Sequence, residues 1–87
     1  MMYNRVRIGT NTRVRLTEAG KDAHDAQIFD GTDKGEILIY LNDYGASRVF
    51  AIAQGLSMNN NHAVRLVSDL LAKGYVTDEE ELTMPEI

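Results

Sequence analysis

The stretch from Leu56 to Val76, LSMNNNHAVRLVSDLLAKGYV, constrains the fold more than any other part of the chain. Ala63, Leu66, Val67 and Leu70 recur at the three- and four-residue spacing of one helical face, and Gly74 stops the pattern. The spacing predicts an amphipathic helix that begins near Asn60, sets those four residues on a core, and turns Asn61, Arg65 and Ser68 the opposite way. Its polar start is unusual. Asparagine competes with the backbone for hydrogen bonds and is a poor interior helix residue, yet one is enough to make a cap. With Asn60 as the cap, Asn59 and Asn61 are left as solvated turn residues or as groups with another task.

Two shorter helices precede it. Lys34 to about Asn42 places Ile37, Leu38 and Leu41 on a buried face, with Thr32 or Asp33 as cap and NDYG as its close. Arg48 to Gln54 carries Val49, Ile52 and Ala53 inward, with Ser47 as cap and Gly55 as its end. Further upstream, Thr17 caps a weaker helix whose Ala19, Ala23 and Ala26 form a narrow stripe, and Gly20 costs it about 1 kcal/mol relative to alanine.

At the N-terminus, RVRIGTNTRVRL alternates arginine with branched apolar residues on both sides of a turn, the pattern of a half-buried hairpin. A three-residue loop, Thr10 to Thr12, sets Ile8 opposite Val14 and Arg7 opposite Arg15 and keeps each face uniform. After the long helix, YVT reads as a strand. The acidic turn and ELTM that follow form either a second short hairpin or a frayed tail.

With 87 residues, 44% of them hydrophobic, the chain is sized for one small domain with one thin core. Three regions compose it: a basic hairpin over 1–16, a helical core over 34–76, and an acidic tail or short strand over 77–87. Cysteine is absent, so neither a disulfide framework nor a thiolate metal site is expected. No apolar run approaches the length of a membrane span and MMYNRVRIG lacks a signal peptide's apolar stretch, so a cytoplasmic protein without a membrane partner is expected. His24, beside Asp22 and Asp25, and His62 are isolated, with neither the convergent spacing of a metal site nor a phosphate loop or nucleophile motif nearby. The expectation is a non-enzyme without cofactor or metal.

The net charge of −4 is unevenly spread. Arg5, Arg7, Arg13 and Arg15 fall in the first sixteen residues with no acid among them, while Asp78, Glu79, Glu80, Glu81 and Glu86 occupy a tail with no base. Arg7 opposite Arg15 calls for an anion, either phosphate or the Glu79–Glu81 run of the same chain. A solvated basic face is the plainer alternative.

The succession of helices, the turn glycine and the terminal Gly-Tyr-Val, from Lys34 to Val76, resemble the winged helix-turn-helix DNA-binding domains of the MarR-like regulator class. That resemblance implies a small α+β domain of three to four helices with a short antiparallel sheet. It implies sequence-specific binding of double-stranded DNA by a transcriptional regulator, as a monomer or a homodimer. Asn60, Asn61, His62, Val64 and Arg65, with Ser68 on the same side, would then face the groove, and Arg48 the phosphate backbone. Asn suits adenine and Arg suits guanine in the major groove. In this class RVRLTEAGKDA resembles a segment that normally follows the helix-turn-helix unit, whereas here it comes first. The turn before the long helix is also about two residues longer than usual, and the sequence after Gly-Tyr-Val is acidic. The rearrangement would let the N-terminal hairpin fold back beside the Tyr75 strand. The competing reading is a protein-interaction module of the same fold that does not bind DNA.

Overall fold

Two threonines set the geometry of the first half of the molecule. In the computed structural model, which describes residues 8–79, the first helix, α1, spans Glu18–Ala26 and the second, α2, spans Asp33–Tyr44. Thr17 and Thr32 are their N-caps, and each hydroxyl accepts from the amide of the glycine three residues on, Gly20 at 3.0 Å and Gly35 at 3.1 Å. A capping box would carry Glu or Gln there. Glycine leaves room for a foreign carbonyl instead: a Cβ on Gly20 would lie 2.0 Å from the Tyr75 carbonyl oxygen, and one on Gly35 would lie 2.3 Å from that of Phe29. The rings of Phe29 and Tyr75 meet edge to face, with centroids 5.4 Å apart. Both helix starts are thus held against one aromatic pair, so Gly20 is demanded by packing although it weakens the helix in isolation.

Only Gly20 and Ala23 of α1 are buried, whereas Ala19 and Ala26, expected on the inward stripe, are exposed. The burial of Ile37, Leu38 and Leu41 in α2 matches the expected face. Helix α3, Val49–Gly55, buries Val49, Ile52 and Ala53. Ser47 does not cap it. The cap position belongs to Arg48, which makes no side-chain cap bond, and the Ser47 hydroxyl donates to the Gly45 carbonyl at 2.9 Å. Helix α4, Asn60–Ala72, buries Ala63, Val67 and Leu70 as its phase requires, while Leu66 packs partly buried against the core.

Three short strands complete an α+β architecture: β1 (Arg13–Leu16), β2 (Ser47–Arg48) and β3 (Val76–Asp78), in the antiparallel order β2-β1-β3. The first strand in sequence is therefore central. Val14 has Ser47 on one side and Asp78 on the other, and Arg15 is opposite Thr77. This replaces the expected hairpin register. With both hydrogen-bonding edges of Val14 taken, Ile8 cannot pair with it. Gly9 to Thr12 form a turn closed by the Thr12 amide on the Gly9 carbonyl at 3.2 Å, and the next carbonyls, Thr10 and Thr12, accept from Phe50 and Val49. Arg5, Arg7 and the ELTM strand lie outside the described residues.

The core collects Val14 and Val76 from the sheet with the inward faces of all four helices. Thr17 closes the join between sheet and helices: its amide bonds the Tyr75 carbonyl at 3.1 Å and its hydroxyl donates to that of Gly74 at 2.6 Å. No helix among the described residues is long and apolar enough to cross a membrane.

Candidate nucleic-acid interface

The polar start of α4 resolves into distinct roles. Asn59 is the cap, one residue earlier than expected: its side-chain oxygen accepts from the Asn61 amide at 2.8 Å. Asn60 and Asn61 are the first two helical residues, and both side chains are exposed. His62 turns back to α2, with Nε2 2.8 Å from Asp33 Oδ2, and so ties the start of α4 to the start of α2. Lys34 and Asp69, 3.6 Å apart, make a second tie between the same helices.

Opposite the buried face of α4, Asn61, Arg65 and Ala72 form an exposed row, one or two helical turns apart, with Ser68 half-buried beside it. The side chains of Asn60, Asn61 and Arg65 make no hydrogen bond or ion pair among the described residues. Val64 departs from the expected groove-facing set, being half-buried and packed against the core. Its position in the helix puts it on the flank between the core row and the exposed row.

The arginines expected on a hairpin face divide among other partners. By strand alternation, Arg13 and Arg15 project from the side of β1 opposite Val14. Arg13 is directly opposite Arg48 of β2, and its Nε lies 3.3 Å from Glu79 Oε1. That carboxylate oxygen is buried without an aligned hydrogen bond, so the contact is one of charge. Arg48 Nη1 donates to the Asn11 carbonyl at 2.6 Å, anchoring the 9–12 turn, and this residue has further contacts. Arg15 is half-buried and donates to the Leu16 carbonyl at 3.2 Å. It shares a cleft of about 300 Å³ with Lys21, Asn42 and Glu79. The structure therefore brings Arg13, Arg15 and Arg48 together on one small sheet, with Glu79 among them. The sequence held two anions in reserve for the arginines, phosphate or the Glu79–Glu81 run, and for Arg13 it is Glu79 that lies alongside. Lys21 was missed because its partner in the cleft, Arg15, reaches it only through the fold.

Charge separates by region. From Thr17 to Tyr44, seven carboxylates stand against two lysines; from Gly45 to Val76, Arg48, Arg65 and Lys73 stand against Asp69 alone, itself drawn to Lys34. Helices α1 and α2 are acidic, α3 carries no charge, α4 sets Arg65 against Asp69, and the basic side chains gather on the sheet at Arg13, Arg15 and Arg48, with Lys73 just past α4. Among the described residues no three His, Cys, Asp or Glu side chains gather as a metal site would require.

Comparison with known proteins adds no relative: no family model, curated protein or solved structure matches the chain.

Proposed function

We propose that this chain is a sequence-specific double-stranded DNA-binding protein of the winged helix-turn-helix kind, a transcriptional regulator that reads the major groove with α4. The observation that carries the reading is the outward row of Asn61 and Arg65, next to Asn60, whose side chains have no hydrogen-bond or ion-pair partner among the described residues. Polar groups held on a rigid helix and left unsatisfied by the described residues are suited to base edges, Asn to adenine N6 and N7 and Arg to guanine O6 and N7. Helix-turn-helix modules present the first turns of the second helix in this manner.

The strand order supports the same reading. A segment that resembles the second wing strand precedes the helical core here, and it fills the centre of the sheet beside β3, giving a wing-like sheet from a rearranged chain order. Arg15, Arg13 and Arg48 on that sheet are the candidate phosphate contacts, which position a protein without reading sequence. The acidic α1 and α2 face repels phosphate and so favours one orientation on the duplex.

Selection from a random duplex pool at fixed salt, followed by titration of the preferred duplex, tests the proposal. Asn61→Ala and Arg65→Ala should each weaken binding by about 1–3 kcal/mol, with melting temperatures near that of the parent. Unaltered affinity in both variants removes α4 as the reading element.

A further inference from the structure

A groove between the two acidic helices has no residue in common with the proposed DNA contacts. Helices α1 and α2 leave between them a cleft of about 260 Å³, floored by Ala23, Phe29, Leu38 and Ile39 and rimmed by His24, Asp25 and Asp30. Ile39 is the anomaly. It is 41% exposed on a helix whose other large aliphatic residues, Ile37, Leu38 and Leu41, are at most 3% exposed. Glu36 and Asp43, three residues before and four after it, share its side of α2 and are both exposed. The apolar floor is thus flanked by carboxylates, Asp25 and Asp30 at its rim and Glu36 and Asp43 farther along the exposed side of α2, and no lysine or arginine lines it. Lys34 stands over the Phe29 ring at 5.9 Å, but its ammonium is drawn to Asp69.

We propose that this groove docks a basic protein segment that inserts one leucine, isoleucine or methionine between flanking lysines or arginines. The apolar floor holds the anchor side chain, and the rim supplies opposite charge on both sides of it, which sets register and speeds encounter. An acidic segment or a phosphate backbone meets repulsion from Asp25 and Asp30 at the rim. Because the groove uses α1 and α2 and leaves the outward row of α4 free, a regulator bound to DNA by α4 keeps this site open to a partner.

The probe is a twelve-residue peptide of repeated Lys-Lys-Leu triplets, titrated into the full chain and followed by amide chemical shifts. A twin with glutamate for every lysine is the control. The expected shifts cluster on Ala23, Asp25, Gly35, Leu38 and Ile39, and the glutamate twin causes none. Ile39→Ser, which melts like the parent because Ile39 is not core, and the double variant Asp25→Asn/Asp30→Asn should each weaken the lysine peptide at least tenfold. Shifts centred on Asp78 and Glu79, or equal affinity of the Ile39→Ser variant, overturn the proposal. So does self-association of the peptide-free chain through the same residues, which assigns the groove to a second copy.

Discussion

Gly20→Ala separates a reading from propensity alone from one that includes the fold. By propensity the substitution strengthens α1 by about 0.8–1 kcal/mol, because glycine is the poorest helix former after proline. In the folded chain the new methyl would stand 2.0 Å from the Tyr75 carbonyl oxygen and 3.0 Å from Leu16 Cδ2. A carbon and an oxygen settle no closer than about 3.3 Å, so that carbonyl must withdraw by over 1 Å. It accepts the Thr17 amide, and its neighbour Gly74 accepts the Thr17 hydroxyl, so the same withdrawal strains the join of α1 to the α4–β3 turn. Two hydrogen bonds at about 0.5–1.5 kcal/mol each, and overpacking of about 1–3 kcal/mol, outweigh the propensity gain. The net loss centres on about 3 kcal/mol. For a domain of this length each kcal/mol moves the melting temperature by about 4–8 °C, so a fall of about 10–25 °C is expected. Circular dichroism melts and urea titrations of the variant and parent measure it, with exposed Ala19→Gly as the control expected to lose only about 1 kcal/mol. A Gly20→Ala protein that melts at or above the parent temperature refutes the close approach and restores the propensity argument.

Leu70 is fully buried, so Leu70→Ala should cost about 2–5 kcal/mol and leave little folded protein in a thermal melt. Asn59→Ala removes the α4 cap and should cost about 0.5–2 kcal/mol by urea unfolding, whereas Asn60→Ala should be near neutral for stability. For the sheet, Arg15→Gln should reduce the slope of log affinity for DNA against log salt by about 0.9 if Arg15 meets a phosphate, with sequence preference unchanged. An unchanged slope with a lowered melting temperature would confine Arg15 to the fold. Glu79→Gln should alter stability by less than about 1 kcal/mol, because the pair it makes with Arg13 is half exposed, and should raise affinity for DNA of any sequence.

How far the sequence reached follows from the range of the interactions involved. The inward face of α4 and the burial of Ile37, Leu38 and Leu41 were legible because a helix's phase is written in residues three and four apart, and the core confirms it. The cap at Thr17 was legible for the same reason, and that of α2 was narrowed to Thr32 or Asp33, of which Thr32 is the cap: a cap bonds an amide only a few residues on. The cap of α4 was misplaced by one, since three identical asparagines offer the same chemistry and only the backbone's entry angle selects Asn59. Ser47 was misread because a two-residue strand carries no periodicity, and its pairing with Val14 depends on chain from the other end of the domain.

The candidate site divides along the same line. That Asn61 and Arg65 point outward follows from phase alone. Whether an outward side chain stays unpartnered depends on which element arrives beside it, and this separates His62, reached by Asp33 of α2, from Arg65, reached by nothing among the described residues. Gly20 makes the point most sharply, since its absent side chain has value only because Tyr75 arrives from the far end of the domain. A local rule counts that glycine as a cost, and the fold turns it into the joint between sheet and helices. The arginines follow suit. Alternation correctly assigned Arg13 and Arg15 to one face of a strand, but the central place of that strand, with Arg48 on one flank and Glu79 on the other, decides how much of their charge is left for phosphate.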